Sequence, residues 1–222
     1  TVTGSASPFD GIDVGQRSTP ALADLDGDGD LDLVVGGWDG VLNYFENFGD
    51  ATSPIYEAGN ENPNPFDGID VGRRSAPTFG DLDGDLDLDL VVGEQDGILF
   101  YYENVGSAAS PSYEAGENPF DDIDVGSWGL PALGDLDGDG DLDLVVGGND
   151  GGFDGGLSYY ENVGSATAPS YKARTDTANP FDGIDVGWVG APAFADLRRR
   201  RRPRPRRGRQ RRGLRRRPLL LR

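Results

Sequence analysis

An aspartate run, Asp24-Leu-Asp-Gly-Asp-Gly-Asp-Leu-Asp32, recurs in this chain at residues 135–143 and, with Leu86 in place of its second glycine, at residues 81–89, and a fourth copy starts at Asp196 and breaks off after Leu197. A repeat of this kind constrains the fold more than any other feature, because each period must form one small unit that stacks on its neighbours. The segment Pro-Phe-Asp-(Gly/Asp)-Ile-Asp-Val-Gly keeps the same period. It starts at Pro8, Pro65, Pro119 and Pro180, with spacings of 57, 54 and 61 that the aspartate runs reproduce. A proline stands four residues before each run, at Pro20, Pro77, Pro131 and Pro192. Leu-Val-Val-Gly, a short turn and an aromatic stretch ending in Glu-Asn-x-Gly follow each complete run.

Each period offers about four short strands. In the first repeat they are residues 21–24, then 31–35 with Leu31, Leu33 and Val35 on one face, then the aromatic strand 41–46. The fourth is a loosely defined stretch from Tyr56 towards Val71, around Pro63 and Pro65. The equivalent aromatic strands are 98–103 and 157–161. Four strands in 54–61 residues, with turns at fixed offsets, describe a propeller blade better than a sandwich. No stretch has sustained helical periodicity. The expected fold class is all-β: a partial β-propeller of about three four-stranded blades plus the start of a fourth, over residues 1–197.

Five carboxylates within nine residues repel one another unless positive charge sits among them. Around a hard dication they become oxygen ligands, so the runs read as calcium loops. In loop 1, Asp24, Asp26 and Asp28 are expected to supply side-chain oxygens, Asp30 a backbone carbonyl, and Asp32 the closing ligand from the next strand. Gly29 allows the sharp turn, with positive φ. Loop 3 repeats the pattern with Asp135, Asp137, Asp139, Gly140, Asp141 and Asp143. Loop 2 keeps Asp81, Asp83, Asp85, Asp87 and Asp89 but has Leu86 in place of that glycine. A left-handed leucine costs about 1–2 kcal/mol, so site 2 is expected to be weaker or differently shaped.

An EF-hand is the nearest competitor. It needs a carboxylate at its twelfth position and a helix afterwards, whereas Val35, Val92 and Val146 stand there within strand-like runs. The remaining alternatives are solvated acidic turns without an ion, or magnesium, which keeps its waters in preference to an all-protein cage. Residues 147–154 faintly resemble a β-roll nonapeptide but occur once, and read as a widened hairpin turn. Calcium is expected to act structurally, stapling the first hairpin of each unit.

The pattern Pro-x-x-x-Asp-Leu-Asp-Gly-Asp-Gly-Asp-Leu-Asp-Leu-Val-Val-Gly, followed by Asp-Gly-x-Leu-x-Tyr-Tyr-Glu-Asn-x-Gly, resembles the FG-GAP/VCBS repeats, the calcium-bearing blades of integrin α-chain-like propellers. Gly190-Ala191-Pro192 matches the second half of that name. The resemblance covers residues 1–197. It implies a propeller whose calcium loops join the first two strands of each blade.

Composition narrows the chemistry. There is no Cys, Met or His among the 222 residues, which excludes disulfides, thiolate or imidazole zinc sites, and Cys- or His-based nucleophilic catalysis. The missing Met also suggests a processed chain or a fragment. No signal peptide is visible at Thr1, and no apolar run is long enough to span a membrane. The net charge of −19 hides an asymmetry: residues 1–197 hold all 39 acidic residues and 5 of the 20 basic ones, a balance of −34. That bias argues against nucleic acid as a partner and favours divalent cations or a salty medium.

Residues 198–222 hold 15 arginines and no acid. A basic tail for nucleic acid or anionic lipid is one reading. A frame error fits better. The expected continuation Asp-Gly-Asp-Gly-Asp-Leu-Asp-Leu-Val-Val-Gly-Gly, written in GC-rich codons and displaced by one added C, translates as Arg-Arg-Arg-Arg-Arg-Pro-Arg-Pro-Arg-Arg-Gly-Arg. That is the sequence of residues 198–209. Such a tail would be disordered.

Two functions follow. The first is a calcium-binding, non-catalytic module for extracellular or cell-surface adhesion, recognising protein or glycan ligands, as part of a larger propeller with further blades. Three blades and a fragment leave open edge strands, an aggregation hazard. The second is a fragment of a carbohydrate-active enzyme, such as a polysaccharide lyase, on the same scaffold. It is disfavoured because no basic residue converges with the acids outside the loops. The aromatics Tyr44, Phe45, Tyr101, Tyr102, Tyr159, Tyr160, Trp38, Trp128 and Trp188 are expected to pack between units more than to stack on sugars. Gln16-Arg17, Arg73-Arg74, Trp128 and Trp188 form the most variable stretch and the candidate ligand-facing rim.

Overall fold

The computed structural model describes residues 7–58, 64–149, 156–187 and 189–195. Trp188, the fourth aspartate run at Asp196, the arginine-rich segment and most of the 147–154 turn lie outside the described residues. The rest forms three four-stranded antiparallel sheets, each an up-and-down meander in chain order. The first holds β1 (Thr19–Ala23), β2 (Asp32–Gly36), β3 (Leu42–Asn47) and β4 (Tyr56–Ala58). The second holds β5 (Ala76–Gly80), β6 (Asp89–Gly93), β7 (Leu99–Asn104) and β8 (Tyr113–Ala115). The third holds β9 (Ser127–Gly134), β10 (Asp143–Asn149), β11 (Leu157–Asn162) and β12 (Tyr171–Arg174). Among the described residues there is no α-helix, only a 3₁₀ turn at Asp176–Ala178. No helix there is long and apolar enough to cross a membrane.

The first strands β1, β5 and β9 lie side by side, and the sheets stack through two apolar layers. Between sheets one and two, Ala23, Leu25, Val34 and Leu42 meet Phe66, Ile69, Val71, Leu90 and Val92. Between sheets two and three, Leu82, Val91, Leu99 and Tyr101 meet Phe120, Ile123, Val125, Leu144 and Val146. Tyr44, Tyr102 and Tyr160 pack against these layers. With layers on both sides, β6 is buried along its whole length, and Val91 and Val92 have no exposed surface.

This arrangement departs from the alternation read in the sequence. All of β2 is buried, while Leu31 lies before the strand and is half exposed. A strand covered on both faces needs apolar residues at consecutive positions, not at alternate ones. The fourth strand is also shorter than expected. β4 ends at Ala58, and the described residues 64–71 form turns, with amides of Asp67 and Ile69 donating to the carbonyls of Asn64 and Phe66 at 3.0 Å. Those turns point Phe66, Ile69 and Val71 into the inter-sheet layer, where Phe66 stacks on Tyr113 at 5.1 Å. Pro65 suits a turn and cannot donate to a ladder.

Gly36 and Gly93 end β2 and β6, and Gly147 holds the equivalent place within β10, each where a neighbouring backbone comes close. A Cβ there would collide with the carbonyl of Ser75, Gly129 or Gly190, on the chain entering the next repeat. The recurrent Val-Val-Gly therefore sets the distance between units.

Candidate metal centre

Each aspartate run joins the first two strands of its sheet, between β1 and β2, β5 and β6, and β9 and β10. The loop is closed by its own carboxylates. Asp24 accepts the amides of Gly27 at 2.9 Å and Gly29 at 3.1 Å, Asp26 accepts Asp28 at 3.1 Å, and Asp28 accepts Asp30 at 2.9 Å. Loop 2 repeats the pattern through Asp81, Asp83 and Asp85, and loop 3 through Asp135, Asp137 and Asp139. The turns need two left-handed residues each: Gly27 and Gly29, Gly84 and Leu86, Gly138 and Gly140. Leu86 adopts φ 76° and leaves its side chain 83% exposed, so the loop keeps its shape and bears the strain. The sixth-position requirement was legible in the sequence; the equal requirement at Gly27 was not.

Folding in this way brings three carboxylates together in every loop. One oxygen each from Asp24, Asp26 and Asp28 lie within 4.8 Å of one another, as do those of Asp81, Asp83 and Asp85, and of Asp135, Asp137 and Asp139. Asp30 is buried, and its Oδ1 has no hydrogen-bond partner. The last aspartate of each run is placed differently. Asp32 is buried at the start of β2, and its two oxygens accept the amides of Leu25 at 3.1 Å and Asn47 at 2.8 Å. Asp89 does the same for Leu82 and Asn104, and Asp143 for Leu136 and Asn162. Asp87 and Asp141 are in the loops but outside the converging triples.

The electrostatics are those of an uncompensated anionic cluster. Burial, and after it the charges of neighbouring aspartates, hold the carboxyls of Asp26, Asp83 and Asp137 above the usual carboxylate range. Asp30 is raised for the same reasons. Asp32 and Asp89 are pushed up to about 6 by burial, against the lowering effect of the amides they accept. A dication among such groups would reverse these shifts, because an opposite charge within a few ångströms favours the ionised form. Three convergent hard oxygen donors and a buried oxygen without a donor fit calcium in ligand type.

Sequence reasoning assigned no role to the asparagine of Glu-Asn-x-Gly, although the motif was visible. Asn47 is buried, and its Oδ1 accepts the amides of Gly49 at 3.1 Å and Ile55 at 2.9 Å, closing the turn between β3 and β4. Asn104 and Asn162 do the same in the other sheets.

The FG-GAP-like repeat family matches the chain over residues 24–92 and again over 81–146. Those two stretches run from aspartate loop to aspartate loop and together cover more than half of the sequence, so the chain belongs to the FG-GAP repeat family. Repeats of this family occur in adhesion and recognition proteins and are typically non-catalytic modules. No curated protein shows significant similarity to the chain.

Proposed function

We propose that the protein is a calcium-stabilised, non-catalytic recognition module, built as part of a β-propeller and working at the cell surface or outside the cell. The convergence of three carboxylates at the same place in each of three sheets carries this reading. Asp24, Asp26 and Asp28 hold the ion in site 1, with Asp81, Asp83 and Asp85, and Asp135, Asp137 and Asp139, as counterparts. Asp30, Asp87 and Asp141 complete the loops. Asp32, Asp89 and Asp143 close them; the Asp143 Oδ2 also accepts the Tyr159 hydroxyl at 3.2 Å, while its Oδ1 keeps a lone pair beyond the Asn162 amide. The ion neutralises the cluster and fixes the hairpin between the first two strands, so its binding energy becomes folding energy. Side-by-side first strands and chain-order meanders support the propeller arrangement, with each sheet as a blade. A ligand on a protein or glycan surface would meet the loops at the blade ends.

Calorimetry of the full chain in calcium and in EGTA tests the reading. With a Kd of about 10⁻⁴–10⁻³ M, as in extracellular modules, calcium at about 10 mM stabilises by about 1.4–2.7 kcal/mol per site. Melting that is the same in calcium and EGTA would remove the claim.

A further inference from the structure

Away from the aspartate loops, three repeat-equivalent residues share an unusual backbone. Arg17, Arg74 and Trp128 each stand two residues after the glycine of their Ile-Asp-Val-Gly segment and have φ of 59°, 58° and 65°. A left-handed conformation is strained for a long side chain, and such strain clusters at functional sites. Here it aims three large side chains at one place. The Arg17 guanidinium lies 5.1 Å from the ring centre of Trp38 and 5.6 Å from that of Trp128; Arg74 lies 4.7 Å and 4.1 Å from the same rings. A backbone ladder across the repeats holds the group: the Trp38 amide donates to Gln16, Arg74 to Trp38, Gln95 to Arg73, and Trp128 to Gln95. Beside it opens a pocket of about 250 Å³, with Arg17, Arg74, Trp128, Leu130 and Val189 in its wall.

The charge of this pocket runs against that of the chain. Residues 1–197 carry 39 acids and 5 bases, yet two of the bases meet here. Among the described residues, neither arginine has an acidic partner; the ion pair there is Arg174 with Glu161. The Arg74 Nε is buried without a hydrogen-bond partner. Burial, and after it the charge of Arg17, hold the Arg74 pKa below its ordinary value. Indole faces offset part of that repulsion through cation–π attraction. A purely structural pair of arginines would have carboxylates in plenty to bind. Left unpaired, the two forks suit a planar oxyanion, which guanidinium groups accept through two parallel bonds.

We propose that this pocket binds a single acidic sugar ring, a uronate, with its carboxylate between Arg17 and Arg74 and its ring against Trp128, Leu130 and Val189. The volume is below the roughly 300–1,000 Å³ of drug-sized sites, which suits one ring. Apolar and indole walls suit the CH face of a pyranose better than a flexible acidic peptide. The proposal rests on the recognition reading above and supplies its site and ligand class.

Tryptophan fluorescence of the full chain, titrated at low salt in calcium, tests it. The probes are glucuronate, glucose as a neutral ring, acetate and sulfate as ringless anions, and a hexaglutamate peptide. A saturable change with glucuronate, at least tenfold tighter than with any other probe, is expected. Arg74→Gln and Arg17→Gln should each weaken it at least tenfold, whereas Arg174→Gln should leave it unchanged. No saturable response to glucuronate in the wild-type chain overturns the proposal. So does equal affinity for glucose, for the simple anions or for the peptide, or undiminished binding in Arg74→Gln. Melting of the same samples in calcium and EGTA separates the two claims: stabilisation by calcium without glucuronate binding removes the pocket alone, and glucuronate binding without a calcium effect removes the calcium claim alone.

Discussion

The backbone amide of Asn47 donates to the carboxylate of Asp32 at 2.8 Å, and this bond ties the aspartate loop to the far hairpin of the same sheet. On one side Asp32 also holds Leu25 of the loop; on the other, the Asn47 side chain holds Gly49 and Ile55 of the turn between β3 and β4. A relay of two buried side chains thus links both ends of the meander, and it recurs at Asp89 with Asn104 and at Asp143 with Asn162.

Cutting the relay should be costly. Asn104→Ala leaves the amides of Gly106 and Ser112 without their acceptor in a part-buried turn. Loss of about 1–3 kcal/mol is expected in urea unfolding. The same variant should also weaken calcium stabilisation, because the backbone amide that Asp89 accepts is kept but is no longer anchored by the closed turn. A variant as stable as the parent would show that the turn closes without the side chain.

Stability without metal should fall as pH rises. Asp32 and Asp89 are held at about 6 by burial in the folded chain, against about 3.9 when unfolded. Between those values the folded state binds more protons than the unfolded one, so the benefit of protonation is complete below pH 4 and gone above pH 6. Asp50 and Glu161 are lowered by hydrogen bonds, from Thr52 and from Arg174, and act in the opposite sense, but at the solvent-exposed surface where such contributions are small. Melting in EGTA should therefore drop from pH 4.5 to pH 7, while the gap between calcium and EGTA widens. A metal-free melting temperature that climbs over this interval would contradict the burial of these two carboxylates.

Much of this could be read from the chain because aspartate and glycine act locally. The loop positions, their left-handed turn at Gly29 and Gly140, the strain at Leu86 and the three sheets all follow from spacing. What escaped the sequence depends on neighbours in space. Leu31 and Leu33 are alike in sequence, but only Leu33 lies within the buried strand β2. Phe66 reads as part of a proline-broken strand, and becomes core because Tyr44 and Tyr113 close around it. Trp38 reads as a packing residue and Trp128 as both packing and rim, and the folded chain sets the two indoles around Arg17 of the first repeat and Arg74 of the second.

Loop 2 should improve with one substitution. Leu86 has φ 76° and an exposed side chain with no packing to lose. Leu86→Gly removes a conformational cost of about 1–2 kcal/mol, partly offset by about 0.4–1 kcal/mol of added freedom in the unfolded chain. A net gain of about 0.5–1 kcal/mol is expected, with tighter calcium binding at that site by titration. The reverse change, Gly140→Leu, should destabilise loop 3 by a similar amount. If Leu86→Gly lowers stability, the leucine has a packing partner in solution.

The spacing between repeats should be the least forgiving feature. Gly93 ends β6 where the carbonyl of Gly129 and the ring of Pro131 occupy the space a side chain would need. Both obstacles belong to the entry and first strand of the next sheet, so they cannot yield without moving that sheet. Overpacking of this kind costs about 1–3 kcal/mol and sometimes more, and Gly93→Ala should fall at or above the top of that range because the clash is with backbone. Gly156→Ala is the control, since a Cβ there meets nothing within 4 Å. Urea unfolding of the two variants compares them directly, and equal stability would mean that the second and third sheets sit farther apart than the Val-Val-Gly contact requires.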